Sequence, residues 1–322
     1  MCKKPLISVC VPAYNHENYV QKTIQSIIDQ TYENIELIVI DDGSKDTTWQ
    51  KINDMREVCE KRFKNVIFKT KPNGGTCETL NMLIELANGE YISLSASDDA
   101  YKPTAIEDEY DFLSQNPDYV LAVGDNELID ENSKVCYWDK DRNNVYDIKK
   151  AKYKTFGDFL KNARKDINFN SENFGSYQSL YIGNYIPNGY LIRRSIFDKT
   201  GFFTKDAPLE DYWFMLQASK YGKFKYIDKV LYSYRWHNSN TIKNNDKMMR
   251  YDRMTREHEE KILQNLDSKI VFPEVKEIKE YGVLLKRQGI PFFIEIQKRK
   301  KIAHKIKILK IFNIDVKKWI KK

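Results

Sequence analysis

The sequence predicts an α/β fold: a mostly parallel sheet flanked on both faces by helices. Three observations carry that expectation. From Leu6 to about Val123, short apolar runs alternate with amphipathic stretches of helical period. The runs are rich in Ile, Val and Leu, as strands covered on both faces must be. Polar clusters follow them at their carboxyl ends, where sheets of this kind bind ligands. The strands read as Leu6–Val11, Ile35–Ile40, Asn65–Phe68, Tyr91–Ala96 and Tyr119–Val123, and the helices as Asn18–Asp29, Thr47–Arg62, Thr76–Ala87 and Thr104–Gln115.

Beyond this half the pattern loosens. Lys140–Ser176 is polar and rich in Asn and Lys, and reads as an insertion or mobile region, or as a solvated linker. Order returns at Tyr185–Arg193 and again at Leu209-Glu210-Asp211-Tyr212-Trp213, which opens an amphipathic helix. A strand-like pair, Phe224–Ile227 and Val230–Tyr234, ends in Arg235-Trp236-His237-Asn238, and residues 246–290 read as two charged helices. The expected organisation is residues 1–124 and 125–243 as two halves of one domain, with 244–322 as a helical, basic extension.

The chain of 322 residues has 41% hydrophobic and 31% charged residues, which excludes a disordered protein. Its net charge of +7 is concentrated at one end. Lys298 to Lys322 hold 11 Lys or Arg against Asp315 alone, so this tail carries +10 and the rest −3. A mildly acidic body is poor support for nucleic-acid binding. Within the tail, Ile302, Ile306, Leu309 and Phe312 fall at helical spacing among lysines, a pattern suited to an anionic membrane surface. The 5 cysteines are scattered without metal-ligand spacing and read as reduced thiols. With no apolar leader and no run of about 18 apolar residues, the expected location is the cytoplasm, with peripheral attachment to the inner face of the membrane.

The chemistry gathers after the strands. Pro12-Ala13-Tyr14-Asn15 follows the first, Asp41-Asp42-Gly43-Ser44 the second, Lys71-Pro72-Asn73-Gly74-Gly75 the third and Ser97-Asp98-Asp99 the fourth. Two adjacent carboxylates repel each other, and a divalent cation carrying phosphate oxygens relieves that repulsion. A helix-opening Glu210-Asp211 pair also complements the helix dipole, so it has a purely structural reading too.

The segment Val9 to Thr48 closely resembles the opening of family 2 glycosyltransferases of the GT-A fold, a Rossmann-like architecture. Asn73-Gly74-Gly75, Asn88-Gly89-Glu90-Tyr91-Ile92, Asp98-Asp99, Gly201-Phe202, Glu210-Asp211 and Arg235-x-His237 follow in the family's order, so the resemblance covers roughly residues 5 to 240. It implies an inverting, single-sugar transfer from a nucleotide-sugar to a hydroxyl of a glycan or lipid-linked acceptor. It implies Asp99 as ligand of Mn²⁺ or Mg²⁺, with Asp98 nearer the ribose or the metal's waters and His237 approaching the metal or diphosphate. Tyr14 would stack on the base and Asp42 accept from its N3–H, which favours uracil or thymine over cytosine. Pro12, Asn15, Asp41, Lys71 and Gly74 would build the nucleotide loops, with Arg235 as a phosphate clamp. Asp211 would be the general base and Glu210 would orient the acceptor.

The chain also departs from the family. Thr76-Cys77-Glu78-Thr79-Leu80-Asn81 lacks the Arg that many members place there, and Tyr232 stands where processive synthases carry Gln. A sugar nucleotidylyltransferase would need a Gly-rich basic loop after the first strand, and Pro12-Ala13-Tyr14-Asn15-His16 offers none.

Overall fold

A computed structural model describes residues 4–238, 240–243 and 245–266, together with the backbones of Gly282–Arg287 and Ile290–Glu295. The first half follows the expected alternation: β1 Ile7–Ala13, α1 Val20–Ile28, β2 Ile35–Asp41, α2 Thr48–Asp54, α3 Arg56–Arg62, β3 Asn65–Thr70, α4 Thr76–Leu86, β4 Tyr91–Leu94, β5 Ala100–Tyr101 and α5 Ala105–Gln115. The second half adds β6 Tyr119–Ile129, β7 Val135–Trp138, β8 Asn144–Val145, α6 Phe156–Ala163, α7 Tyr177–Tyr181, β9 Leu191–Arg193, α8 Phe197–Thr200, α9 Glu210–Ala218, β10 Lys223–Arg235 and α10 Asn245–Leu266. Strands β11 Gly282–Arg287 and β12 Ile290–Glu295 form a separate antiparallel pair.

Ten strands share one sheet, whose main path runs β3-β2-β1-β4-β9-β6-β10-β5. The pairs β3–β2, β2–β1, β1–β4 and β6–β10 are parallel; β9 inserts antiparallel between β4 and β6. Every residue of β2 is buried, which explains its apolar run Leu37–Ile40; Glu36, which interrupts the run after Ile35, accepts from the Ser8 hydroxyl and Asn88 N. Helix α1 covers the sheet with Val20, Thr23, Ile24 and Ile27, the spacing of one helical face. The parallel strands of the first half deliver their carboxyl ends to one edge, and that edge carries the site.

Several expectations are corrected. The helix expected over Thr47–Arg62 is two helices, broken at Met55 (φ −89°, ψ −3°), where the Met55 N–H bonds Ile52 O at 3.1 Å in a tighter turn. The expected strand pair at 224–234 is one continuous strand, β10, whose register against β6 shifts around Val230 and so interrupts the apolar alternation. The segment 140–176 is packed rather than a loose linker: Thr155 caps α6 by accepting from Asp158 N at 3.0 Å, and Phe156, Leu160, Phe169 and Phe174 are buried. Of the two helices expected in 246–290, α10 is present, but Gly282–Arg287 is a strand. The basic tail 298–322 lies outside the described residues. Among the described residues no helix is long and apolar enough to cross a membrane.

Candidate active site

Each loop beyond β1, β2 and β4 is set by its own side chains. Asn15 takes the left-handed conformation (φ 53°), with its N–H on Ser44 Oγ and its Oδ1 accepting from Lys45 N. Asp41 is buried and accepts from Ser44 N and from the Thr70 hydroxyl at 2.8 Å, so it supports the loop. Gly43 (φ +71°) lies so close to the next loop that a Cβ there would stand 2.7 Å from Asn73 N. Asp42 gathers three internal donors: Lys71 Nζ at 2.5 Å, Gly74 N at 2.9 Å and Gly75 N at 2.9 Å. Burial opposes charge on Asp42, but Lys71 and the two backbone donors outweigh it and hold the carboxyl below its ordinary range. Tyr14 is 39% exposed beside these loops, and Pro12 is part-buried at the end of β1.

A cavity of about 840 Å³ opens beyond this edge and is lined by Gly74, Gly75, Asp98, Asp99, Asn188, Glu210 and Asp211, with Phe156, Leu160, Tyr185 and Tyr234 among its walls. The structure thus brings together both carboxylate pairs and the third-strand glycines. The side chain of Asp42 stands behind that lining, accepting from Gly74 N, and Lys71 reaches it through Asp42.

Asp98 and Asp99 are buried and differ sharply. Asp98 Oδ2 lies 2.9 Å from His237 Nε2 and 3.7 Å from His16 Nε2. Burial would raise its pKa, but the His237 hydrogen bond and the two imidazoles hold the carboxyl below its ordinary range. Asp99 Oδ1 accepts from Arg235 N at 2.8 Å, while its Oδ2 is buried and meets no donor in hydrogen-bonding geometry. Burial and the Asp98 charge push Asp99 well above the usual carboxylate range, against Arg235 and the Asn188 side chain. Where the resemblance put the metal on Asp99, the carboxylate that meets His237 here is Asp98.

Arg235 does not line the cavity. Its guanidinium is fully buried, donates to Asp98 O, to Asp130 O at 3.0 Å and to Ser133 Oγ at 2.8 Å, and lies 4.8 Å over the Tyr19 ring. That position braces the Asp98–Asp99 loop from inside and leaves the donors turned away from a phosphate in the cavity.

Asp211 and Glu210 open α9 at the cavity wall. Asp211 Oδ1 accepts from Tyr212 N at 2.6 Å and Oδ2 from Asn184 Nδ2 at 3.2 Å; Asn184 Oδ1 in turn accepts from Ile186 N, which fixes its amide with the donor toward Asp211. Burial raises the Asp211 pKa, and burial with the neighbouring Asp211 charge pushes Glu210 up to about 7. A carboxylate with raised proton affinity facing a cavity is the form a general base takes near neutral pH.

Sequence reasoning missed His16, Asn184 and Asn188, and named Ser97 only as part of the fourth loop. His16 follows Asn15 directly and is one of only 4 histidines, a signal that was available. Ser97 Oγ meets His16 Nδ1 at 2.7 Å. Asn184 ends the weakly periodic stretch and Asn188 lies just beyond it, and only the fold brings them to the site.

The chain is similar in sequence and in fold to known proteins. The family model described as Glycosyl transferase family 2 matches residues 8–201. A glycosyltransferase of Haemophilus influenzae without a characterised activity is 35% identical over 243 residues, 74% of this chain and 67% of that protein. The chondroitin synthase of Pasteurella multocida is 29% identical over 243 residues, of which this chain spans only 22% of the synthase's length. Among solved structures, S. aureus TarS 1-349 in complex with UDP-GlcNAc superposes with a TM-score of 0.52 at 19% identity, covering 74% of this chain and 60% of that one. The mannosyltransferase PcManGT of Pyrobaculum calidifontis, in complex with GDP-Man and Mn2+, gives 0.51 at 14% identity, covering 72% and 57%. These likenesses are of fold, and the fold is GT-A. With its family match over most of the sheet and a relative sharing over a third of its residues across three quarters of the chain, this protein belongs to glycosyl transferase family 2.

Proposed function

We propose that the chain moves one sugar from a nucleotide-sugar, a UDP-sugar by preference, to a hydroxyl of a glycan or lipid-linked acceptor, with inversion at the anomeric carbon. One observation carries the reading: Asp98 and Asp99 line the same cavity as Glu210 and Asp211. One pair faces where a diphosphate would be neutralised; the other faces where a hydroxyl would lose its proton.

The donor side is built for a nucleotide. Tyr14 offers an exposed ring for the base, and Asp42, with Lys71 and two backbone N–H groups already on it, keeps lone pairs for an imide N–H while staying ionised. The residues present fit a divalent cation: a low-pKa Asp98 beside two imidazoles, and an Asp99 oxygen that is buried without a donor. Mn²⁺ or Mg²⁺ bound there would neutralise charge on the departing diphosphate. Asp211 takes the acceptor proton, held by Asn184 and Tyr212, and Glu210 orients the acceptor hydroxyl. The apolar wall of Phe156, Leu160 and Tyr234 excludes water from the reacting centre.

Incubation with a panel of UDP-, dTDP- and GDP-sugars tests the reading by nucleotide release. UDP release with Mn²⁺ that stops on chelation is the expected result; release from none of the donors, or release unaffected by chelation, would count against it. The buried carboxylates fix a pH dependence. With Glu210 near 7 and Asp211 raised, the pair takes up a proton as the pH falls through neutrality, so kcat/KM should decline on the acid side. In Glu210→Gln the group that titrates near 7 is gone, so an acid limb set by Glu210 should move to lower pH, to that of Asp211 alone. A limb that stays in place would remove Glu210 as the titrating group.

A further inference from the structure

We propose that His16 is a metal ligand, completing with Asp98 and His237 a site of two imidazoles and one carboxylate that selects Mn²⁺ or Co²⁺ over Mg²⁺. The inference rests on the reading above that a divalent cation serves the transfer, and it names the ligands and the metal preference.

The nitrogens of His16 and His237 and an oxygen of Asp98 all lie within 4.8 Å of one another. A cation about 2.1 Å from each ligand spans ligand separations up to about 4.2 Å, so side-chain rotations suffice to close the set. The three residues come from the loop after β1, the loop after β4 and the turn after β10, so each is held by a different strand end. His16 is fixed twice over: its backbone N–H bonds Thr48 Oγ1 at 2.8 Å, and its Nδ1 meets Ser97 Oγ at 2.7 Å. When Nδ1–H donates to Ser97, the lone pair of Nε2 is left facing Asp98, the tautomer that a metal requires. His237 is packed on the Tyr19 ring at 5.0 Å and lies edge-on to His16 at 6.0 Å. Asp98 and His237 are at most 9% exposed, and the His16 side chain, 23% exposed, leaves the cluster accessible to a cation from its own side.

The ligand chemistry sets the preference. Mg²⁺ demands oxygen ligands in near-octahedral geometry and surrenders its waters reluctantly. Imidazole suits the later divalent metals, and affinity for a nitrogen-rich site rises from Mn²⁺ to Co²⁺. Three protein ligands leave positions open for diphosphate oxygens. The aspartate pair alone, an all-oxygen site, would carry no such bias against Mg²⁺.

The test is electron spin-echo spectroscopy of Mn²⁺ added to the full chain, alone and with UDP, which counts coordinated imidazoles by their ¹⁴N couplings. Two imidazoles are expected in the wild type. His16→Asn retains an amide to meet Ser97 but has no atom at Nε2, so it should show one imidazole and at least about 10-fold weaker Mn²⁺ binding with the fold intact. Mg²⁺ should displace Mn²⁺ far more readily from that variant than from the wild type. One imidazole in the wild type, lost only in His237→Asn, would overturn the role of His16 while leaving a metal enzyme; should the variant misfold, the wild-type count alone decides. UDP binding without any Mn²⁺ uptake would overturn the metal reading itself, and this inference with it.

Discussion

Asp211→Asn should lower kcat by about 10²- to 10⁴-fold, the span of a positioned general base, while the dissociation constant of the nucleotide-sugar stays within a factor of two or so. The change removes the oxygen that would take the acceptor's proton and leaves the donor loops after β1, β2 and β3 untouched. Asp211 Oδ2 now accepts from Asn184, whose own carbonyl is committed to Ile186 N. The new amide therefore faces a donor on one side, and a loss of about 1–3 kcal/mol in stability accompanies the kinetic loss. Calorimetric titration with the donor, single-turnover transfer and a thermal melt separate the three quantities. Turnover within tenfold of the wild type would sink the assignment of Asp211 as base; unchanged turnover together with lost donor affinity would move Asp211 to the donor side of the cavity.

The parts of this fold that were legible in the sequence are those whose environment is uniform. Strand β2 is buried at every residue and its run Leu37–Ile40 is correspondingly apolar, so its period and its ends could both be read. The loop residues after it were legible because turn chemistry and ligand chemistry coincide there: Asp41 holds Ser44 and Thr70, and Gly43 is pressed against Asn73. Strand β9 was not legible as a sheet member. Leu191–Arg193 is 3 residues long, and its antiparallel place between β4 and β6 depends on partners far away in sequence. Helix α6 is only 8 residues long within a longer stretch rich in Lys and Asn, so the helical spacing of Phe156, Phe159, Leu160 and Ala163 was easily passed over.

The site divides the same way. Each carboxylate pair could be found, because adjacent acids at a strand end or a helix start stand out. Their partners could not. His16 meets Asp98 only because β1 and β4 are neighbours in the sheet, and His237 reaches the same oxygen from the end of β10. The different states of Asp98 and Asp99 likewise come from surroundings: two imidazoles face one, and burial beside the Asp98 charge outweighs Arg235 and Asn188 at the other.

Arg235, expected as a phosphate clamp, is buried against backbone carbonyls, and its task is open to a direct test. Arg235→Ala should cost about 3–5 kcal/mol of stability, the range for removing one member of a buried charged network. In a chain of this size that is a fall of roughly 10 °C in Tm. The substitution empties a fully buried space and takes a donor from each of Asp98 O, Asp130 O and Ser133 Oγ at once. It also removes the cation over Tyr19, whose ring supports His237. The backbone N–H that holds Asp99 survives any substitution except proline, so the aspartate loop loses its side-chain brace but keeps its anchor. Lysine retains the charge but lacks the planar fork needed to reach Asp98 O and Asp130 O together, so Arg235→Lys should recover only a minor part of the loss. A phosphate clamp would behave in the opposite way: KM for the donor would rise, the melting temperature would stay put, and lysine would restore much of the binding. Thermal melts of the three proteins without ligand distinguish the two, and a wild-type Tm in Arg235→Ala would return the guanidinium to the diphosphate.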